Sequence, residues 1–481
     1  MFSKIVALLI FGLCINLGNT IDSDGTDFVF SYSAYTATSF SSAATASVVV
    51  IPLRKTQITC TFSYIKNTTG KPITRFVDPV YGQTNEFSFE FADVVLNPIY
   101  DAYNIYVRTS VDFRIFAKCT DRVKLIGRIS DPINSFGDLF LIPSINFAAT
   151  KYVLAMPTAD TEVSGSLSFL PISKTGNITL TVLAYEDDIA YGRDQIFTYD
   201  TSLGNPQYYL TSMFNRFTNT SFSITSSAPI MITLSSPFVT ASDLPSDYCG
   251  ASCKQDYVIF MPIGSELKKC GTTTSLPEER MTTDDFATRF YTSPPNVVDS
   301  CKDISRITIY DDITDLAGRA IKVSPFGSTA ISLINKHQSG FLTYEGQMST
   351  YRQGSIVQAD GITAFGHFIH YLPATNEWIS GSTQFFTLAK NCYLEFYIKA
   401  DKIDLNYVKI DQTPLTNLTY TTKDIVLFAN NIKQFTTPIT GYGVHTFAND
   451  AGISVSYVVC KSVNGPYNAA GYLTGFNKAQ N

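Results

Sequence analysis

The chain has 481 residues, of which 45% are hydrophobic and only 16% charged, with 28 Tyr, 35 Phe, a single Trp and a formal net charge of −6. That length exceeds what one hydrophobic core serves, so several domains are expected, and the wealth of Tyr, Phe, Thr, Val and Ile is that of strands with a half-buried face. A mildly acidic chain without a basic run has no electrostatic means of holding nucleic acid or an anionic membrane.

Met1 to about Thr20 has the layout of a secretory signal peptide: Lys4, an apolar core Ile5 to Leu13, then small and polar residues. It is too short to span a bilayer, no later stretch reaches the roughly 18 apolar residues a transmembrane helix needs, and the tail GYLTGFNKAQN is polar. The mature chain, with a balance of −7 after the loss of Lys4, is therefore expected to be secreted and extracellular, with no membrane insertion. Asp22, Asp24 and Asp27 around Gly25 lack the spacing and the bidentate acid of a calcium loop, so they are read as a turn.

Two later stretches repeat each other. VVVIPLRKTQITCTFSY (Val48 to Tyr64) returns as LSFLPISKTGNITLTVLAY (Leu167 to Tyr185), matching Pro52 with Pro171, Lys55-Thr56 with Lys174-Thr175, Ile58-Thr59 with Ile178-Thr179 and Tyr64 with Tyr185. Each copy reads as two strands joined by a short turn. A third copy shows in RITIYDD (Arg306 to Asp312), and CYLEFYIK (Cys392 to Lys399) resembles CTFSYIK of the first. The runs LFLIP, VIFMP and HYLP end at Pro143, Pro262 and Pro373, as strands do where a ladder stops. FSITSSAPIMITLSSP (Phe222 to Pro237) reads as strand, turn and returning strand, the counterpart of VRTSVDFRIFAKC. LPEERMTTDDFATRF (Leu276 to Phe290) is the one candidate helical or irregular insert, with Thr282-Thr283 as its cap. The fold class is all-β: tandem β-sandwich-like modules of about 115 residues at 21–146, 147–258, 259–372 and 373–481.

Nine cysteines become eight once Cys14 leaves with the signal peptide, and an even count in a secreted chain reads as four disulfides. The pairing expected is Cys60 with Cys119, Cys249 with Cys253, Cys270 with Cys301 and Cys392 with Cys460, since each stays within a module or its connecting loop. Sequons at Asn67, Asn177, Asn219 and Asn417 are expected to lie on the surface and carry glycans.

No hydrolase elbow, zincin helix or phosphate-binding glycine loop occurs, and no catalytic residue, cofactor or metal site is assigned. His367 and His370 are three apart on a strand and face opposite ways; His337 and His445 stand elsewhere. Glu186, Asp187, Asp188, Asp311 and Asp312 are a conceivable acid pair for sugar chemistry, but they recur with the repeat and read as turn signals. Cys249 and Cys253 in CGASC read as a structural bridge rather than a redox pair, and Trp378 as a half-buried sheet residue.

The stretch Phe222 to Pro262 also resembles the N-terminal region of IgGFc-binding proteins: a strand of the form Ile-x-Ser-x-x-Pro, a loop with cysteine and acid, and an apolar strand ending in Pro. Gly25 to Phe28, VKID at Val408 to Asp411, Gly443-Val444-His445 and the Tyr- and Gly-rich close from Tyr467 to Tyr472 add to it. The family's cluster of cysteine, acid and His in that loop is replaced here by Cys249 to Cys253, so no binding residue is carried over. The resemblance implies a stand-alone extracellular, non-enzymatic protein that binds protein or glycan partners at a mucus or matrix surface. The alternatives are a lectin-like or carbohydrate-active protein using the acidic strand ends, and a structural matrix spacer.

Overall fold

The structure, a computed structural model, describes residues 22–34, 40–100, 105–157, 159, 163–186, 188–213, 220–241, 254–297, 304–325, 327–358, 363–400, 403–429 and 431–478. The expected signal peptide, Cys14, Asp187, Asn219, Cys249, Cys253 and Cys301 lie outside these residues. Among the described residues no helix is long and apolar enough to cross a membrane.

The chain is all-β and builds one sandwich-like plan four times. The first unit holds β1 (Gly25–Phe30), β2 (Tyr32–Ser33), β3 (Thr45–Pro52), β4 (Cys60–Ile65), β5 (Pro72–Val77), β6 (Glu86–Phe89), a one-turn helix (Phe91–Val94), β7 (Val95–Leu96), β8 (Ile105–Ser110), β9 (Ile115–Asp131) and β10 (Phe136–Ile142). Around the long β9, β1 and β4 flank the first half with β5 outside β4, while β10 and β3 flank the second half with β6 outside β3.

The second unit has β11 (Ala149–Ala155), β12 (Val163–Pro171), β13 (Asn177–Glu186), β14 (Ile189–Ala190), β15 (Gln195–Asp200), β16 (Gln207–Met213), β17 (Thr220–Val239) and β18 (Asp256–Phe260). Its long strand β17 is flanked by β11 and β13 at one half and by β12 and β18 at the other, as in the first unit.

The third unit has β19 (Leu267–Lys268), β20 (Glu278–Thr283), β21 (Ala287–Thr292), β22 (Asn296–Val297), β23 (Arg306–Tyr310), β24 (Arg319–Lys322), β25 (Thr329–Ser332), β26 (Gln338–Thr343), β27 (Thr350–Val357) and β28 (Ala364–Tyr371). Here the long strand is broken into β26 and β27, so the two halves separate into two four-stranded sheets.

The fourth has β29 (Ile379–Thr387), β30 (Cys392–Lys399), β31 (Val408–Ile410), β32 (Thr413–Pro414), β33 (Thr421–Ile425), β34 (Ile432–Ile439), β35 (Gly443–Lys461) and β36 (Ala469–Leu473), again arranged around one long strand, β35.

Period-two patterning explains the shared strands. In β13, Ile178, Leu180 and Val182 are buried while Thr179 and Thr181 between them are partly open, and in β4 Cys60, Phe62 and Tyr64 alternate with Thr61 and Ser63 in the same way. The long strands serve two sheet halves, so each needs a bend between them. β9 and β17 carry register shifts at that point, beside Asp27 and Lys151, and so does β35 beside Gly381. Pro229, which has no N–H to donate, falls in the irregular stretch of β17 between Thr225 and Ile230.

Several expectations are corrected. β3 and β4 are not a hairpin: they lie on opposite sides of β9 and on different halves of it, so the Lys55-Thr56 link crosses between the halves. Phe222 to Pro237 is one continuous strand, because bulged backbone accommodates the Ser-Ser-Ala-Pro segment without reversing the chain. Its counterpart is Ile115–Asp131 rather than the residues from Val107 on. Cys392–Lys399 takes the place of β3, not of β4. Leu276 to Phe290 contains β20, a turn and β21 rather than a helix, its Thr282 and Thr283 being ladder residues paired with Ser339 and Gln338. β8 leaves the first unit and pairs with β16 of the second, and the break expected after 258 falls inside β18.

The last strand of each unit, β10, β18, β28 and β36, lies against the next unit's, with β36 returning to β10. The four units thus close into a ring. Such edge strands would present unpaired N–H groups to one another, and two buried carboxylates satisfy them. Asp138 Oδ2 accepts from Ile259 N (3.1 Å), and its Oδ1 accepts from Leu139 N (2.8 Å) and Gly471 N (3.3 Å). Asp256 Oδ2 accepts from His367 N and Ala469 N, both at 2.9 Å, and its Oδ1 from Tyr257 N and Asn468 Nδ2. On the ring axis Phe140, Phe260, Ile369, Tyr472 and Phe476 leave an apolar cavity of about 20 Å³, room for about one water. Residues just before β1 and just after β36 seal the last seam: Ser23 N donates to Phe476 O (3.1 Å) and Lys478 N to Asp22 Oδ2 (2.9 Å).

Candidate functional site

The Lys-Thr link that recurs in the sequence becomes one wall of an open cleft in the first unit. Lys55, Thr56, Gln57 and Ile58 face Asp78, Pro79, Val80 and Tyr81, the start of the loop from β5 to β6, around about 350 Å³. Asn85 fixes that loop: its Oδ1 accepts from Val80 N (2.9 Å), and its Nδ2 donates to Val50 O, Val80 O and Gln83 O. Gly82, at φ +72°, makes the turn. Thr59 Oγ1 donates to Asp78 Oδ1 (2.6 Å), and Thr56 Oγ1 to Asp121 Oδ2 (3.1 Å). Lys55 Nζ stands 5.7 Å from the centre of the Tyr81 ring.

The cleft therefore combines a phenol face, an ammonium, a carboxylate and an apolar patch at Val80, which is 50% exposed. Aromatic faces with a few fixed polar groups suit the ring of a sugar or a side chain of an extended peptide. The equivalent Lys174 of the second unit has another task. Its Nζ sits 4.5 Å over Phe116 of the first unit, and burial and Arg114 together lower its pKa.

The other candidates are dispersed. Asp188 accepts from Ser324 Oγ of the third unit, Asp311 pairs with Arg319 (3.1 Å) and Lys336 (3.8 Å), and Asp312 accepts from the main chain and hydroxyl of Thr314. Asp22, Asp24 and Asp27 turn to Lys478, Lys124 and Thr26 respectively, so they converge on no common point. His367 is buried between Ser355 Oγ (2.8 Å) and Lys254 O (3.1 Å), and burial pushes its pKa down to about 4. His370 Nε2 accepts from Arg352 Nε (2.9 Å); burial and that guanidinium hold it well below the ordinary imidazole range. His337 pairs with Asp284 (3.2 Å). Trp378 is buried beside Tyr397 rather than half-buried on a sheet, its Nε1 donating to Pro373 O.

Disulfides join Cys60 to Cys119 and Cys392 to Cys460, in each case across directly paired strands, and Cys270 is also disulfide-bonded. Asn177 and Asn417 are exposed. Asn67 is only partly exposed: its Nδ2 donates to Val95 O (2.9 Å) and its Oδ1 is buried without a partner, so the amide that a glycan would occupy is engaged with the main chain.

Two groupings are formed by the fold from residues far apart in the sequence. Asp411 and His445, from the separate VKID and Gly-Val-His segments, meet at 2.7 Å, with Thr446 N on the second carboxylate oxygen. Burial alone would raise the Asp411 carboxyl, but these bonds carry it below its ordinary range. Fully buried arginines staple three of the four seams. Arg114 binds Asp112 and the carbonyls of Pro171, Ser173 and Thr201; Arg289 donates to Ala241 O; Arg352 grips Glu395. Their only sequence mark is an Arg set among strand residues, in DFRIF, ATRFY and TYRQG. No protein-family model matches this chain, and no curated protein does.

Proposed function

We propose that the protein is an extracellular, non-enzymatic binding protein, akin to the N-terminal region of IgGFc-binding proteins, that holds a glycan or an extended peptide in the cleft between Lys55 and Tyr81. The cleft itself carries this reading, because it presents an aromatic face, a cation and a carboxylate on loops fixed to a rigid sandwich. Disulfides across paired strands and exposed sequons at Asn177 and Asn417 support the extracellular setting.

The strand-end acids lend no support to a sugar-cleaving site, since Asp188 is tied to Ser324 of the third unit, Asp311 to Arg319 and Asp312 to Thr314. A ring closed on itself also speaks against an extended spacer. The test is a glycan array and a library of secreted-matrix peptides probed with the mature protein and with its Tyr81→Ala and Lys55→Ala variants. Binding that falls roughly tenfold or more in both variants, the loss of an aromatic contact and of a cation contact, supports the reading. Ligand binding undiminished in both overturns it.

A further inference from the structure

The first unit contains a lysine and a carboxyl group removed from solvent together. Asp24 immediately precedes β1, and Lys124 lies in β9, next to the cross-strand pair formed by Gly25 and Val123. Lys124 Nζ is 2.8 Å from Asp24 Oδ1, and both side chains have zero exposure. The second oxygen, Oδ2, is buried with no hydrogen-bond partner, while Ser23 Oγ reaches Oδ1 only at 3.5 Å. Arg122 donates to the main-chain carbonyl of Asp24 (2.9 Å). Burial raises the Asp24 carboxyl above its ordinary range, against the lowering pull of Lys124 and Arg122. An ion pair in such a place is held at a heavy desolvation cost, and a carboxylate with one oxygen unsolvated holds it poorly. The pair Lys66 and Asp93 makes the contrast: Lys66 is partly open to water, Asp93 is also held by Thr68, and its carboxyl lies below the ordinary range.

We propose that Lys124 and Asp24 become joined by an amide bond between Nζ and Cγ. Transfer of one proton along the 2.8 Å contact, from Nζ to Oδ1, gives an amine and a carboxylic acid, the pair from which an amide can form. The amine lone pair then attacks Cγ. The bond from Cγ to Oδ1, the oxygen that took the proton, breaks, and that oxygen leaves as water with one further proton from the amine, while the unpartnered Oδ2 stays as the amide oxygen. The balance is an ammonium and a carboxylate giving one secondary amide and one water, with no oxidant, reductant or activating group. The bond would fix the first strand of the chain, which also seals the ring through Ser23 and Asp22, to the central strand of its own unit.

Mass spectrometry of the wild-type mature protein, reduced and deglycosylated, tests this directly. The expected mass is one water below that of the sequence, and proteolysis should yield a branched peptide containing both Asp24 and Lys124. Lys124→Arg keeps the charge but not the nucleophile and should restore the full mass. Asp24→Asn should instead lose ammonia to form the same bond. A wild-type chain of full mass, with cleavage after Lys124 and separate linear peptides, overturns the proposal even if neither variant folds. So does a missing water that maps to another peptide.

Discussion

Asp138 and Asp256 take up main-chain N–H groups that four converging edge strands would otherwise leave unpaired, and burial pushes both carboxyls well above their ordinary range while those N–H groups oppose the shift. His367, whose own N–H is one of the clamped groups, is buried in the opposite sense, as an imidazole held neutral. Its pKa of about 4 lies below the ordinary 6.5. The unfolded chain therefore takes up a proton at pH values where the folded one does not, and this residue's contribution to stability is lost as pH falls from 6.5 towards 4. A gap of that size amounts to roughly 3 kcal/mol. Glu278, pushed up to about 7 by burial, acts with the opposite sign, as do Asp138 and Asp256, so the parent's pH profile is a composite. Urea unfolding of the parent and of His367→Gln from pH 7 to pH 4 isolates the histidine: the stability difference between them should shrink by about 3 kcal/mol on acidification. Parallel profiles would mean that His367 is not buried neutral.

Strands at the seams show how one element is held to the next. Arg352, in β27, reaches Glu395 in β30 of the next unit, and Glu395 also accepts from Tyr397 Oη (2.7 Å) and Gln434 Nε2 (3.0 Å). Removing one member of such a pair leaves a buried charge, so Glu395→Ala should cost about 3–5 kcal/mol in chemical unfolding. The double change Arg352→Met with Glu395→Leu should recover most of that, and a single variant as stable as the parent would contradict the reading. The strands themselves were largely legible: β4, β13 and β23 announce themselves through alternation and a Tyr near their ends, followed in β13 and β23 by acids. Their partners were not. Alternation fixes which face of a strand is buried but not its neighbour, so β3 and β4 read as a hairpin when both in fact pair with β9, which lies some fifty residues further along the chain. Ser-Ser-Ala-Pro similarly signals a broken ladder, which a bulge in a continuing strand satisfies as well as a reversal does. The cleft was half legible, as the recurring Lys-Thr link; its other wall, Asp78 to Tyr81, shares with the second unit only the spacing of Asp78 and Gly82, repeated in Asp200 and Gly204, and the aromatic Tyr81 has no counterpart there.

At the scale of the molecule, the three apolar runs that end at Pro143, Pro262 and Pro373 prove to be the strands on which the ring closes. Together with β36 they are buried almost throughout, although none pairs with another, because Asp138 and Asp256 stand where a neighbouring strand would be. This enclosure leaves the outer loops, the cleft among them, as the surface open to partners. Hydrogen exchange at the amides of Ile259, His367, Ala469 and Gly471 tests the closed ring most directly. If the carboxylates clamp the edges, these amides exchange as slowly as those of the long strands β9, β17 and β35, and only through global unfolding. Exchange at the rate of exposed loop amides, with the long strands still protected, would mean that the four units are linked in a row and the ring does not close.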